Sequence, residues 1–387
     1  MTPTHDAIVL GAGAAGMFCA GTAGQRGRRV LLVDHVAEPG AKIVISGGGR
    51  CNFTNTGTAP DRFLSANPHF AKSALGRYAP TDFVALVDRY GIAWHEKTLG
   101  QLFCDGSARQ IVDLLVAECD KGGVEWALGR PAEVEHDGAH FRVRMGERTA
   151  IAPQLVIATG GPSIPKIGAT DVSYRLAKQF GLKLVEPRPA LVPLTLGADE
   201  ALFRELAGVA AEVEATAGKA RFREAALFTH RGLSGPAILQ VSSYWRHGDT
   251  IGVDFAPGRG PDWLVEAKRA EPRTTLRRTL GLPDRLAETL ADKLGVERLA
   301  DAPDRTLRAA AARLADWRFV PNGTEGYAKA EVTVGGIATA ELSSRTMEAK
   351  KVRGLYAIGE AVDVTGWLGG YNFQWAWASA SATGHAL

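Results

Sequence analysis

The stretch Ala7–Ala20, AIVLGAGAAGMFCA, leaves few options for what the chain around it can fold into. Four apolar residues run into Gly11-Ala12-Gly13-Ala14-Ala15-Gly16, and small or apolar residues then recur at helical spacing. A strand, a glycine turn and a helix have this form. Gly11 permits the tight turn, Gly13 lets the backbone approach a pyrophosphate, and Gly16 lets the helix pack close to the sheet. The helix N-terminus then faces the phosphate charge. Arg29–Val33 reads as the next strand and ends in Asp34, an acid about twenty residues beyond the glycines, where a ribose hydroxyl needs an acceptor. The glycines alone would also suit an ordinary turn. The strand before them, the helix after them and Asp34 point to a dinucleotide.

With 387 residues the chain can form two or three domains around sizeable cores. Its 45 Lys and Arg balance 42 Asp and Glu, so no strongly charged partner is implied. The 45 glycines fit several close approaches of backbone to ligand. Cys19, Cys51, Cys104 and Cys119 lie far apart without a CxxC pair, which argues against a redox disulfide and a zinc site. We therefore expect reduced thiols, a cytoplasmic location and no bound metal. There is no basic leader pattern at the N-terminus and no run of 18 apolar residues, so no membrane association is expected.

After Asp34 a long loop is expected from His35 to Thr56, centred on Ser46-Gly47-Gly48-Gly49-Arg50-Cys51-Asn52. Its glycine amides would turn toward a ligand, with Arg50 available for phosphate or flavin oxygens. Helices are predicted near Asp82–Tyr90 and Ala108–Lys121, then a hairpin-like pair at Val124–Leu128 and Phe141–Met145. Leu155–Ala158 is a buried strand running into Thr159-Gly160-Gly161. The texture changes at the proline-rich Pro187–Pro193. Beyond it, Val209–Ala217 and Ala220–Phe228 alternate like strands. Pro261–Arg318 has helical spacing, and its arginines alternate with acids as on solvated faces. We expect a dinucleotide-binding domain in two segments, 1–190 and 336–387. Between them lie a β-rich insert, 191–260 with about 319–335, and a helical insert, 261–318.

The C-terminal segment says which dinucleotide. Leu355-Tyr356-Ala357-Ile358-Gly359-Glu360 is a strand end, with Asp363 three residues on, suited to a ribityl hydroxyl. Gly369-Gly370-Tyr371-Asn372-Phe373 then opens a helix expected from Gln374 to Ala386. Its free amides would meet the flavin edge where charge builds on reduction, worth about 0.3–1 kcal/mol or more when partly buried.

The motifs GAGAAG, SGGGRCNFTN, ATGGPSIPKIGA, FTHRGLSGPAIL, TVGGIA and LYAIGEAVDVTGWLGGYNFQWAWASASATG occur in this order nearly end to end. Together they resemble the BaiN/YhiN-like FAD-dependent oxidoreductases, also labelled the aminoacetone oxidase family. The resemblance implies an α/β fold of the two-dinucleotide-binding-domain flavoprotein type, with a Rossmann-like FAD domain. An insert with a β-barrel-like part and a helical part interrupts it. It also implies non-covalent FAD. The residues expected to hold it are Gly11, Gly13, Ala14, Ala15, Gly16, Asp34, His35, Lys42, Gly48, Gly49, Arg50, Cys51, Thr159, Gly160, Gly161, Gly359, Glu360, Asp363, Gly370, Tyr371, Asn372 and Phe373. Two departures stand out. Asp171-Val172-Ser173-Tyr174 replaces the usual Thr-Gly-Asp-Gly-Tyr run. Pro131, which lacks an N–H, falls where the family offers backbone bonds to adenine.

The leading expectation is hydride transfer between flavin N5 and a small organic substrate under a lid formed by residues 190–330. The preferred direction is reduction of an activated C=C bond, with transient NAD(P)H as donor, since no second complete GxGxxG is present. The alternatives are an amine-type oxidase using oxygen, a flavin-containing nucleic-acid modification factor, and a flavin-binding protein without turnover. With balanced charge and no aromatic residues interleaved with a basic patch, no nucleic-acid partner is expected. The oligomeric state stays open. For proton delivery the candidates are His230 and Arg231 in the polar turn Thr229–Gly235, with Arg50 and Tyr371 as rivals.

Overall fold

A computed structural model describes residues 2–387. The chain divides into two units, one comprising the chain up to Arg188 with Val332–Leu387, the other Pro189–Glu331. The short return strand Val332–Ile337 thus falls in the first unit, and the β-rich and helical parts of the insert share the second.

In the first unit five strands form one parallel sheet in the order Leu355–Ala357, Gln154–Ile157, Ala7–Leu10, Val30–Val33, Glu125–Ala127. Ala7–Leu10 and Val30–Val33 are apolar at every position and buried along their whole length, as strands covered on both faces must be. The helix Ala14–Gln25 lies against the helices Arg109–Lys121 and Tyr371–Gly384. It is buried on nearly every side, and small residues make that possible. A Cβ on Gly24 would sit 2.5 Å from the Gly122 carbonyl oxygen.

Two expectations fail here. Glu125–Ala127 does not pair with Phe141–Met145. It joins Val30–Val33 as the sheet's parallel edge, while Phe141–Met145 is the middle of an antiparallel trio with Glu133–His136 and Arg148–Ala152. The region His35–Thr56 is not one loop: it contains a helix at Ala41–Ile45, a tight turn at Ser46–Gly49 and a buried strand, Asn52–Asn55.

The last helix, Tyr371–Gly384, is buried over almost its full length. Trp377 is fully buried between Phe83 (ring centroids 4.2 Å, 7° apart in plane) and Phe373 (5.7 Å, 12°). Its indole N–H donates to the Phe53 carbonyl at 2.8 Å.

The second unit is a seven-stranded antiparallel sheet in the order Trp317–Phe319, Ile251–Asp254, Ala210–Ala217, Ala220–Phe228, Gly232–Ser234, Leu194–Leu196, Pro321–Thr324. Its two edge strands are consecutive in the chain, with only Val320 between them. One residue cannot span an open sheet of seven strands, so the sheet curls until its edges approach, as in a barrel. The helices Trp263–Ala270, Leu276–Leu280, Asp284–Leu294 and Asp304–Ala315 come between two of its strands. No helix among the described residues is long and apolar enough to cross a membrane.

Removing the central indole should leave a large cavity and an unpaired carbonyl. We expect Trp377→Ala to cost about 3–5 kcal/mol, read as a lower urea midpoint at unchanged slope. A loss below about 1 kcal/mol would mean that the last helix is not central to the first unit.

Candidate flavin site

The glycine turn has the shape its sequence suggests. Gly11 has φ +104°, and a Cβ there would fall 2.5 Å from the Ala158 carbonyl oxygen; one on Gly16 would fall 1.7 Å from the Gly11 carbonyl oxygen. Only glycine lets the strand end, turn and helix approach this closely. Gly13 caps the helix without a side-chain bond, and nothing lies within 4 Å of where its Cβ would point. The first-turn amides at Ala14 and Ala15 have no partner within the helix, and with bare Gly13 before them they make a cradle that fits a pyrophosphate.

Asp34 braces this cradle. Its Oδ2 accepts from the Ala12 N–H at 2.6 Å and its Oδ1 from the Val36 N–H at 2.9 Å. His35 Nδ1 lies 3.2 Å from Asp34 Oδ1, and its Nε2 is 2.8 Å from the Gly168 carbonyl oxygen. Each carboxylate oxygen has a second lone pair, so Asp34 can hold a ribose hydroxyl while it ties the turn. Pro131 follows Gly129 and Arg130, whose N–H groups are already bonded to the Val36 and Asp34 carbonyls.

In the second glycine loop, Gly48 and Gly49 have φ +65° and +84° with nothing within 4 Å of a built Cβ, and Arg50 is exposed. Cys51 is different. Its side chain is buried, and burial pushes its thiol far above the ordinary range, so only its backbone can face a ligand. Lys42 and Glu360 meet each other: Lys42 Nζ is 2.6 Å from both Glu360 Oε2 and Ser163 Oγ. Ser163 donates to Glu360 Oε1 at 2.8 Å, and the Thr333 N–H donates to the same oxygen at 3.0 Å. One small polar network thus ties together four distant segments.

Beside it, the Thr159 and Thr333 hydroxyls are buried without a hydrogen-bond partner, an arrangement that a bound polar ligand would satisfy. A Cβ on Gly161 would fall 2.7 Å from Thr333 Oγ1, while Gly160 faces open space.

At the C-terminal end the picture is mixed. The Gly359 N–H donates to Ser379 Oγ at 3.0 Å, and its carbonyl accepts from Trp375 Nε1 at 3.0 Å, so both groups serve the last helix. Asp363 is buried, accepts from the Ala66 N–H at 2.8 Å and from Ser65, and burial pushes its carboxyl above the usual range. Gly370, φ +92°, caps the last helix with no side-chain bond, leaving first-turn amides at Tyr371–Phe373 for a ligand. A Cβ on Gly370 would meet the Thr54 carbonyl oxygen at 2.3 Å. The Tyr371 hydroxyl accepts from Arg62 at 2.7 Å, and Asn372 closes on the Gly366 N–H and carbonyl at 2.8 and 2.9 Å.

Several residues that hold the site had no assigned role in sequence. Asn55 donates to the Gly369 carbonyl at 2.8 Å, and Thr54 donates to Gln374 Oε1 at 2.6 Å. The motif SGGGRCNFTN thus clamps the turn before the last helix. Its Asn and Thr, buried beside a glycine loop, were the available signal. His230 and Arg231 lie in the other unit, exposed at the tip of a hairpin that Thr229 closes through its backbone and hydroxyl. Arg231 is 3.7 Å from Glu325.

The fold and this donor set define an FAD-dependent oxidoreductase, and known proteins say of which kind. Residues 5–386 match the family described as HI0933-like protein Rossmann domain, and the chain belongs to that family. It is 53% identical, over 99% of its length and 98% of the relative's, to the ribosomal RNA dihydrouridine synthase of Escherichia coli K12. It is 27% identical over 98% of both chains to the 3-dehydro-bile acid delta(4,6)-reductase of Clostridium scindens. The solved apo Sdh1 complex of Mycobacterium smegmatis, 17% identical, aligns with 98% of this chain and 67% of that one at a TM-score of 0.50, a likeness of fold. The expectation that no nucleic acid takes part is overturned by the first of these relatives and by a second synthase of the same name, from Haemophilus influenzae, 44% identical over 99% of this chain and 98% of its own. Balanced net charge was a poor guide, because it averages over a surface that a partner touches only locally.

Asp34→Ala removes both the ribose acceptor and the brace on the turn. We expect FAD affinity to fall by about 1–3 kcal/mol together with a lower apoprotein Tm, measured by flavin fluorescence titration and thermal melting. A lower Tm with unchanged affinity would leave Asp34 as a turn brace only.

Proposed function

We propose that this protein is an RNA dihydrouridine synthase that reduces the C5=C6 bond of a uridine in ribosomal RNA, with NAD(P)H as reductant. The observation that carries this reading is the 53% identity, across nearly both whole chains, to a relative named for that activity. The chemistry agrees. The uracil C5=C6 bond is conjugated to the C4 carbonyl and is therefore an activated alkene. This reading takes up the alternative of a nucleic-acid modification factor in place of the small organic substrate, and keeps only the reduction of an activated C=C bond.

Bound FAD supplies a hydride carrier at its N5. The chain's own residues bind and orient it. The amides of Ala14 and Ala15 and the carboxylate of Asp34 suit the ADP half, the Thr159 hydroxyl offers a buried partner, and the amides at Tyr371–Phe373 suit the edge that becomes electron-rich. Saturating the double bond requires one hydride and one proton on adjacent carbons, and the proton needs a donor on the chain. We assign this role to His230, with Arg231 holding the carbonyl oxygen that gains electron density.

The test uses the FAD-loaded protein with rRNA that lacks dihydrouridine and with NADH or NADPH. Nucleoside mass spectrometry should find uridine gaining two hydrogens. Turnover of a small enone or an amine with none on RNA would overturn the reading.

In the His230→Ala, Arg231→Ala double variant we expect unchanged FAD content and spectrum. Substrate-dependent flavin reoxidation should fall by a factor on the order of a hundred, typical of losing a general acid. Full turnover would return this hairpin to a structural role.

A further inference from the structure

In Pro261–Arg318 arginines alternate with acids. The segment Ala338–Arg353 departs from this pattern. It leaves the strand Val332–Ile337, doubles back through the bridge between Leu342 and Ala349, and lies along Leu355–Ala357 through the bridge between Glu348 and Tyr356. Its four cations, Arg345, Lys350, Lys351 and Arg353, are all exposed. Its two carboxylates are turned to the protein. Glu341 is only 6% exposed and takes Lys351 Nζ at 2.8 Å, while Glu348 accepts from the Gly354 N–H at 2.9 Å.

Lys350 Nζ rests on the Ala340 carbonyl at 2.8 Å, next to the Lys351–Glu341 pair, so two ammonium groups share the base of the hairpin. At the tip, Arg77 donates to the Arg345 carbonyl and brings in a fifth exposed cation. Among the described residues, no carboxylate lies within ion-pair distance of Arg345, Lys350 or Arg353. Exposed Lys183, whose carbonyl accepts from the Ala338 N–H at 2.9 Å, stands beside the same base.

Like charges gathered on one hairpin with few carboxylates beside them repel one another, and an anion with several charges relieves that cost. A polynucleotide backbone is such an anion. The segment has no aromatic side chain on which a base could stack, so it suits phosphates and not bases. We propose that the hairpin 338–353, with Arg77, is a docking surface for the phosphate backbone of the RNA substrate. This rests on the RNA reading above. The hairpin contributes affinity and position, and sequence is read elsewhere.

The test compares the FAD-loaded wild type with an Arg345→Ala, Lys350→Ala, Arg353→Ala variant by fluorescence anisotropy on an rRNA fragment across a salt series. Binding should weaken about tenfold or more at low salt, and the slope of log K against log salt should shrink by about two, as three lost phosphate contacts require. FAD content and the rate of flavin reduction by NAD(P)H should not change. A control variant removing three exposed arginines of the other unit, Arg269→Ala, Arg273→Ala and Arg298→Ala, should keep the wild-type slope. Equal losses in both variants, or an unchanged slope in the first, would overturn the docking surface while leaving the RNA reading intact. A wild type that binds no RNA would overturn both.

Discussion

The whole site depends on the packing of two buried helices, Ala14–Gln25 and Tyr371–Gly384. One starts at the first glycine turn and the other at the last, so their contact brings together amides from opposite ends of the chain. That contact is close because glycine permits it: a Cβ on Gly384 would meet Thr22 Cβ at 2.7 Å. Buried apolar surface supplies the main stabilisation, and glycine at this crossing sets how near the two helices can come.

Polar bonds inside this packing then set direction. Gln374, fully buried, accepts from Thr54 and donates at 2.8 Å to the Tyr78 carbonyl, and Ser379 takes the Gly359 amide. Each such bond costs more to leave unmade than it gains when made, so it acts chiefly against alternative registers. The Lys42–Glu360 pair works in the same way. It is partly exposed, and its value lies in geometry more than in net energy, because it ties the glycine-loop region to the C-terminal strand.

The same economy separates binding from chemistry. Backbone amides and hydroxyls from the first unit suit a dinucleotide but bring few groups that can carry a proton. A family built on this scaffold can therefore keep its cofactor site while its members are named for substrates as different as ribosomal RNA and a bile acid.

The division between what was legible in the residues and what was not follows the range of the interactions. Gly11–Gly16, the buried strands and the alternating pair Val209–Ala217 and Ala220–Phe228 could be read from sequence because each depends on near neighbours: a turn that only glycine fits, or a run of apolar or alternating residues. The strand Glu125–Ala127 could not be assigned its partner, because parallel pairing with Val30–Val33 is made across more than ninety residues and leaves no local pattern. For the same reason Asn55 and Gln374 looked like ordinary polar residues until the fold brought them to Gly369 and Thr54. Local composition determined the turns and the class of cofactor; only the tertiary structure decided which side chains hold the C-terminal segment in place, because Lys42–Glu360, Thr54–Gln374 and Asn55–Gly369 are contacts between opposite ends of the chain.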